Sequence, residues 1–180
     1  MVFFCESAWA GMREGAHSML RIGKMTDYAL VLMHRLAKSP SHQLRMEELA
    51  AETRLGLPTV RKLMRQLVNA GLVRSERGAK GGYQLARFPE LITIAHVVAA
   101  VEGPLAITEC CDDDGGCELS GGCDVESQMP TLNELITLML GSISLTDMGR
   151  LCGNVQGNLG VLLTRILERQ QFQFALAVPA

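Results

Sequence analysis

Apolar residues recur at helical spacing along the middle of the chain, and they predict a series of short amphipathic helices. The first helix is predicted over 26–37, with Thr26 as its N-cap and Asp27 in its first turn, where the helix dipole favours an acid. A break at 39–41 separates it from a short helix over 46–53. The inner positions of both helices are apolar: Ala29, Leu32, Met33, Leu36, Leu49 and Ala50.

A third helix with a basic outer side follows a turn at 55–57. Pro58 suits its first position, because the missing N–H costs little there, and Gly71 suits its end. Its inner positions are Val60, Leu63, Met64 and Leu67, and its outer positions are Thr59, Arg61, Lys62, Arg65, Gln66 and Asn69. A short helix, a turn and a basic helix are typical of a helix-turn-helix, although a plain surface helix has the same charged face.

A glycine-rich reversal after the third helix predicts a β-hairpin. A strand over 72–76 leads into a loop over 77–82 with three glycines, and a return strand over 83–86 follows. The loop carries Arg77 and Lys80, which suit a DNA minor groove, and its glycines permit close approach to a phosphate. A helix-turn-helix followed by a basic hairpin is a winged helix, so DNA binding is favoured over an ordinary hairpin.

A fourth helix is predicted over 92–101, apolar on most sides and ending at Gly103–Pro104. It should be buried between the winged helix and the rest of the chain. His96 on this helix is therefore expected to be a buried histidine with a hydrogen-bond partner rather than a metal ligand.

A fifth helix follows a loop over 108–128, and Thr131 and Glu134 have the spacing of a capping box at its start. Its apolar stripe has no partner left in so small a domain. The stripe therefore predicts a homodimer, with packing inside the chain as the alternative. The stripe consists of Leu132, Leu135, Ile136, Met139, Leu140 and Ile143.

Together these elements predict a mainly α fold: a winged helix-turn-helix with a two-stranded β-wing and a long C-terminal dimerisation helix. We interpret 1–18 as a disordered extension or an over-called start and 19–103 as the winged-helix DNA-binding domain. A cysteine loop over 104–128 and the dimerisation helix over 129–148 follow, and 149–180 forms a tail whose pattern gives no role.

The charge distribution indicates a polyanion as the partner of the winged helix. The chain of 180 residues has a net charge of −2, yet 54–87 holds eight Lys or Arg and one acid, whereas 88–149 holds eleven acids and no Lys or Arg. A dimer would present two basic helices to a palindromic site in double-stranded DNA. The phosphate-contact candidates are Lys62, Arg65, Arg74 and Lys80; the base-edge candidates are Thr59, Arg61 and Lys62; Arg77 is the minor-groove candidate.

No apolar run reaches the roughly 18 residues of a membrane span, and the first residues make a poor signal peptide. We therefore expect a cytoplasmic protein with reduced thiols. Four of the six cysteines lie close together, three of them in the pattern Cys111-x5-Cys117-x5-Cys123 with Cys110 adjacent. This spacing leaves three hypotheses open: an iron–sulfur cluster, a zinc loop, or thiols that form switchable disulfides. A thiol-redox enzyme is disfavoured, because the chain has no C-x-x-C motif beside a βαβ unit.

Four segments carry a resemblance to a known family: MLRIGKMTDYAL, LPTVRKLMRQLVNAGLVRSERGAKGGYQLAR, EGPLAITEC and the C-x5-C-x5-C loop. From 19 to about 148 the chain resembles the Rrf2 (IscR/NsrR-like) family of winged-helix transcription regulators, and EGPLAITEC is most similar to the SUF-system iron–sulfur assembly regulators. The resemblance implies a homodimeric DNA-binding regulator, expected to be a repressor of SUF-type genes, with a 2Fe–2S or 4Fe–4S cluster. Sensing of nitric oxide or redox state, and a zinc-bound interaction module, are the alternatives.

The resemblance also implies cluster ligands. Cys111, Cys117 and Cys123 match the three thiolates of the family. The IscR-like histidine is replaced here by Glu126, while the NsrR-like aspartate of the opening helix, supplied by the partner subunit, matches Asp27. Asp27 is the first choice for a fourth ligand, Glu126 the second and Cys110 the third.

Overall fold

The computed structural model describes residues 22–39, 42–78, 81–111, 117–118, 121–151 and 164, without the side chains of 149–151. Six helices and one antiparallel hairpin are present in these ranges, in agreement with the predicted mainly α winged helix. The helices and strands are α1 Lys24–Ala37, α2 Met46–Thr53, α3 Leu57–Asn69, β1 Val73–Glu76, β2 Gly82–Leu85, α4 Ile94–Glu102, α5 Met129–Ser142 and α6 Leu145–Leu151. The proposed extension 1–18, Lys80 and most of the tail 149–180 lie outside the described residues.

The core lies between α1, α2, α3 and α4, with the wing closing one side. The apolar positions predicted on α3 are all fully buried, which confirms the helical spacing from which they were identified. Each such side chain contributes about 1.5–3 kcal/mol by its removal from water. The largest fully buried apolar side chains are Leu32, Met33, Leu36, Leu49, Leu63, Met64, Leu67, Ile92 and Leu145.

Helix α1 begins earlier than the sequence predicted. Its N-cap is Gly23, and Thr26 lies inside the first turn with none of its surface exposed, so the assignment of Thr26 as N-cap is wrong. The reason is a distant carboxylate. Glu102, the last residue of α4, accepts hydrogen bonds from the Thr26 hydroxyl and from the Gly23 N–H, the latter at 2.9 Å.

The turn between α2 and α3 uses an arginine where a glycine was expected. Arg54 takes the left-handed conformation (φ 57°), whereas Gly56 has φ −61° and serves as the N-cap of α3. Gly71 has φ +67° just past the end of α3 and confirms the predicted stop. The bounds of α2 agree with the prediction.

The wing pairs β1 with β2 in the register Val73 opposite Leu85 and Glu76 opposite Gly82. A side chain at Gly81 would approach the backbone oxygen of Glu76 to 2.2 Å. Glycine at this position is therefore required by the tight turn of the chain itself, whatever lies against the loop.

Three predictions about the C-terminal half are wrong. His96 is exposed, and its side chain accepts from the Thr93 N–H at the start of α4. Helix α5 begins at Met129, so Thr131 stands inside it and does not cap it. The helix also ends at Ser142, well short of the predicted 148.

The break after α5 is stabilised by the backbone at the start of α4 and just before it. The Ile94 N–H donates to the Ile143 carbonyl and the Leu145 N–H to the Ile92 carbonyl, both at 2.9 Å. Ser144 then starts α6: its hydroxyl donates to the Asp147 carboxylate at 2.6 Å and accepts from the Asp147 N–H. The two backbone hydrogen bonds return the chain to the winged helix after α5.

Candidate nucleic-acid interface and thiol site

Helix α3 places its basic side chains on one open surface. Arg61, Lys62 and Arg65 are exposed and line a shallow groove together with Pro58 and Asn69. Thr59 is half-buried at the start of the same helix. A helix with its cations on one side and its apolar residues in the core has the shape needed to enter a major groove.

The wing adds two exposed arginines. Arg77 lies at the end of β1 beside the tip, and Arg74 lies on β1 opposite Gln84. The Arg74 guanidinium donates to the side-chain oxygen of the buried Gln84 on the paired strand. Because Arg77 is exposed beside the turn, it is available to a ligand.

Gln66 was predicted on the outer side of α3, but it is half-buried against α4. Its side-chain N–H donates to the Val101 carbonyl at 3.3 Å. The last turn of α4 therefore contacts α3 through Gln66, and it contacts the start of α1 through Glu102. No sequence pattern marks these contacts, because they join residues far apart in the chain.

The first two of the four clustered cysteines lie together at the edge of α5. Cys110 and Cys111 belong to a short 3-10 turn, Glu109–Cys111, and both sulfurs are 3.2 Å from the hydroxyl oxygen of Thr108. The two cysteines line a groove together with the α5 residues Pro130, Asn133, Glu134, Thr137 and Leu138.

All four clustered cysteines are free thiols and are half-buried: Cys110, Cys111, Cys117 and Cys123. Among the side chains that the structure describes, no three His, Cys, Asp or Glu groups lie close enough to hold a metal ion. The acids at 112–114 fall outside the described residues. The structure thus brings Cys110 and Cys111 together and does not gather the predicted ligands into one group.

The candidate fourth ligands differ in their surroundings. Asp27 is exposed in the first turn of α1. The Glu126 carboxylate accepts the Gly121 N–H at 2.9 Å and so helps to close the turn that carries Cys123. Glu126 therefore has a structural contact in its own loop, whereas the Asp27 side chain points to solvent.

Asn133 is the residue of this region that sequence analysis missed. Its side-chain oxygen accepts the Ile107 N–H at 3.1 Å, and its side-chain nitrogen donates to the Leu105 carbonyl at 2.9 Å. An asparagine in the middle of a helix gives no sequence signal for such a contact, because it depends on where the preceding loop runs.

The outward face of α5 is apolar and exposed. Leu132, Leu135 and Met139 have 42%, 53% and 49% of their surface accessible, while Ile136 and Leu140 are half-buried. Ile143 lies just beyond the end of the helix.

No helix in the described part of the chain has both the length and the apolar character to cross a membrane.

The chain is similar to known proteins over most of this structure. A family model, Rrf2, described as an iron-dependent transcriptional regulator, matches residues 22–150. IscR of Xenorhabdus nematophila is 31% identical over 130 residues, 72% of this chain and 79% of that protein. NsrR of Shouchella clausii is 32% identical over 106 residues, 58% of this chain and 71% of that protein.

A solved structure is similar as well. The structure of CymR, described as the global cysteine regulator of Bacillus subtilis, superposes with a TM-score of 0.59 at 27% identity. The match covers 72% of this chain and 95% of CymR.

Proposed function

Because the chain belongs to the Rrf2 family of winged-helix transcriptional regulators, we propose that it senses iron–sulfur cluster status and represses SUF-type cluster-assembly genes. One observation carries the proposal: two of the free thiols, Cys110 and Cys111, lie beside α5, about ten residues after the last turn of α4, which contacts the basic helix α3. A regulator needs both a sensing site and a DNA-binding surface, and in this chain one short segment connects the two.

DNA recognition is assigned to α3 and the wing. Arg65, Arg74 and Lys80 contact phosphates, Thr59 and Arg61 contact base edges, and Lys62 serves either role. Arg77 enters the minor groove. The exposure of the described basic members of this set on α3 and in the wing supports the assignment.

The thiols fit an iron–sulfur cluster by their chemistry, since free cysteine thiolates are the ligands that such clusters take. Cys111, Cys117 and Cys123 would hold it, and the cluster would supply sensitivity to iron, oxygen and nitric oxide. Because the described thiols are not gathered into one group, cluster binding has to bring them together.

A second copy of the chain covers the apolar face of α5 in this proposal. The three exposed apolar side chains on that face, Leu132, Leu135 and Met139, are costly in water and match a self-complementary two-fold contact. The half-buried Ile136 and Leu140 extend the contact, and Ile143 lies at its end. Such a dimer presents two α3 helices to a palindromic operator, with half-sites about 10 bp apart.

The decisive experiment combines anaerobic spectroscopy with a gel shift. Protein reconstituted with iron and sulfide should be brown, and its affinity for the promoter of its neighbouring genes should change when the cluster is removed. A variant with Cys111→Ala, Cys117→Ala and Cys123→Ala should stay colourless and be insensitive to iron, with Cys152→Ala as the matched control.

The alternatives give different results in the same experiment. A colourless protein that retains zinc indicates the zinc-bound interaction module. A brown protein whose DNA affinity responds to nitric oxide but not to cluster supply indicates a stress regulator. A brown protein whose DNA affinity is indifferent to the cluster contradicts the sensing proposal.

A further inference from the structure

We propose that Asn133 is a positioning residue that holds the Cys110–Cys111 turn against α5 and thereby makes α5 respond to the state of these thiols. The inference rests on the proposed function for its regulatory meaning. Its structural part concerns the cluster-free protein and is tested there.

The Asn133 side chain forms a two-point clamp. It accepts from the Ile107 N–H and donates to the Leu105 carbonyl, so one amide satisfies two backbone groups of the approaching segment. Two hydrogen bonds from a single side chain fix direction as well as distance, because the amide is planar. Cys110 and Cys111 follow three and four residues after Ile107 and line the same groove as Asn133.

The segment 103–107 is attached at its other end too. Glu102 anchors the end of α4 to Gly23 and Thr26, and Gly103 follows with φ +94°. Five residues therefore connect a fixed point on the winged helix to a fixed point on α5. Any displacement of the thiol turn acts on both points, since so short a segment has little slack.

The exposed residues Leu132, Leu135 and Met139 lie at least about a quarter of a turn round α5 from Asn133. Asn133 thus contacts the thiol segment on one side of the helix, while these three residues lie on another side, where the proposed second copy would pack. Asn133 is placed to convert movement of the thiols into rotation or translation of α5.

The first test is thiol reactivity in cluster-free protein. Asn133→Ala should speed alkylation of Cys110 and Cys111 by about tenfold, the factor expected when two hydrogen bonds no longer oppose local opening. Cys117 and Cys123 should react as in the wild type. Since 88–149 contains no Lys or Arg, the products are mapped after digestion with an acid-specific protease.

Thr137→Val is the matched control. Thr137 lines the same groove one turn further along α5, and among the described residues its hydroxyl bonds only the Asn133 carbonyl of its own helix. Its loss should therefore leave all four rates unchanged. Faster alkylation of all four cysteines in Asn133→Ala, or of none, overturns the inference. Should Asn133→Ala fail to fold, hydrogen exchange of the wild-type Ile107 amide decides: protection supports the clamp and rapid exchange overturns it.

The second test addresses signalling. Asn133→Ala should still bind the cluster, while the ratio of operator affinities between the cluster-bound and cluster-free forms falls towards one. An unchanged ratio overturns the positioning role. If wild-type protein takes up no cluster at all, the proposed function fails, but the alkylation result still decides whether the clamp exists.

Discussion

The Thr26 hydroxyl donates a 2.5 Å hydrogen bond to the Glu102 carboxylate, although the two residues are 76 positions apart. Through this contact and its bond to the Gly23 N–H, the last residue of α4 holds the first turn of α1. The negative charge also lies at the positive end of the α1 dipole. The start of α1 is consequently attached to the segment that leads to the cysteines.

Glu102→Ala should lower the free energy of unfolding by about 1.5–3 kcal/mol, because it leaves the buried Thr26 hydroxyl without its charged acceptor. Urea unfolding followed by circular dichroism measures the change. Glu134→Ala, at an exposed glutamate on α5, is the control and should have little effect. Equal stabilities for the two variants would contradict this role of Glu102.

Arg77→Ala should weaken operator binding by about tenfold, in line with the loss of one specific contact. Arg65→Ala should weaken binding to all sequences and reduce the salt slope by about 0.9, the value for one phosphate contact. Fluorescence anisotropy at several salt concentrations measures both effects. Lys38→Ala, at the exposed lysine just after the end of α1, should change neither quantity. An unaltered affinity for Arg77→Ala would argue against a DNA contact by the wing.

Leu135→Lys should dissociate the proposed dimer, since it places a charge in the centre of the apolar face of α5. Leu91→Lys is the matched control, because Leu91 is also an exposed leucine, with 61% of its surface accessible, but lies outside α5. Sedimentation velocity distinguishes monomer from dimer. Retention of the dimer in Leu135→Lys would place the contact elsewhere.

The fourth ligand is tested by Asp27→Ala and Glu126→Gln. If Asp27 ligates, its variant should shift the visible spectrum of reconstituted protein and speed cluster loss, whereas Glu126→Gln should chiefly loosen the turn at Gly121. Anaerobic absorbance and circular dichroism in the visible range record these signatures. A spectral shift in Glu126→Gln alone would reverse the order of preference.

Stability should fall as the pH drops below neutrality because of His34. Burial, and secondarily the charge of Lys38, lower the pKa of His34, and its Nδ1 finds no partner among the described residues. The unfolded chain then binds a proton near pH 6.5 and the folded chain only at lower pH, so the stabilising contribution is present above about pH 6.5 and is lost below it. His34→Gln should flatten the melting temperature between neutral and mildly acidic pH. His42→Gln, at an exposed histidine, should retain the wild-type dependence.

The sequence predicts most of the winged helix because that region obeys local rules. Helix α2 and the buried stripe of α3 follow from periodicity, and Gly71 from its conformational freedom. Thr26 was misassigned because a cap signal in the sequence was overridden by a partner from α4. His96 was misplaced because the apolar composition of α4 says nothing about which side is covered.

The end of α5 and the start of α6 were missed for a different reason. Ser144 and Asp147 do have capping-box spacing, so a local signal for α6 was present in the sequence. The apolar residues on either side continue the periodicity of α5 and obscured the break. The contacts of Gln66, Glu102 and Asn133 had no local signal, because each depends on a segment distant in sequence.

The bridge between Thr93 and Ser144 has a mechanical consequence. Near its start α5 is hydrogen-bonded through Asn133 to the segment that follows α4. After its end the chain is hydrogen-bonded to the backbone at the start of α4, so α5 is held near both of its ends. In a dimer joined along α5, a small rotation of the paired α5 helices would change the distance between the two α3 helices. The α5–α5 contact would then determine which spacing of two half-operators the dimer can bind.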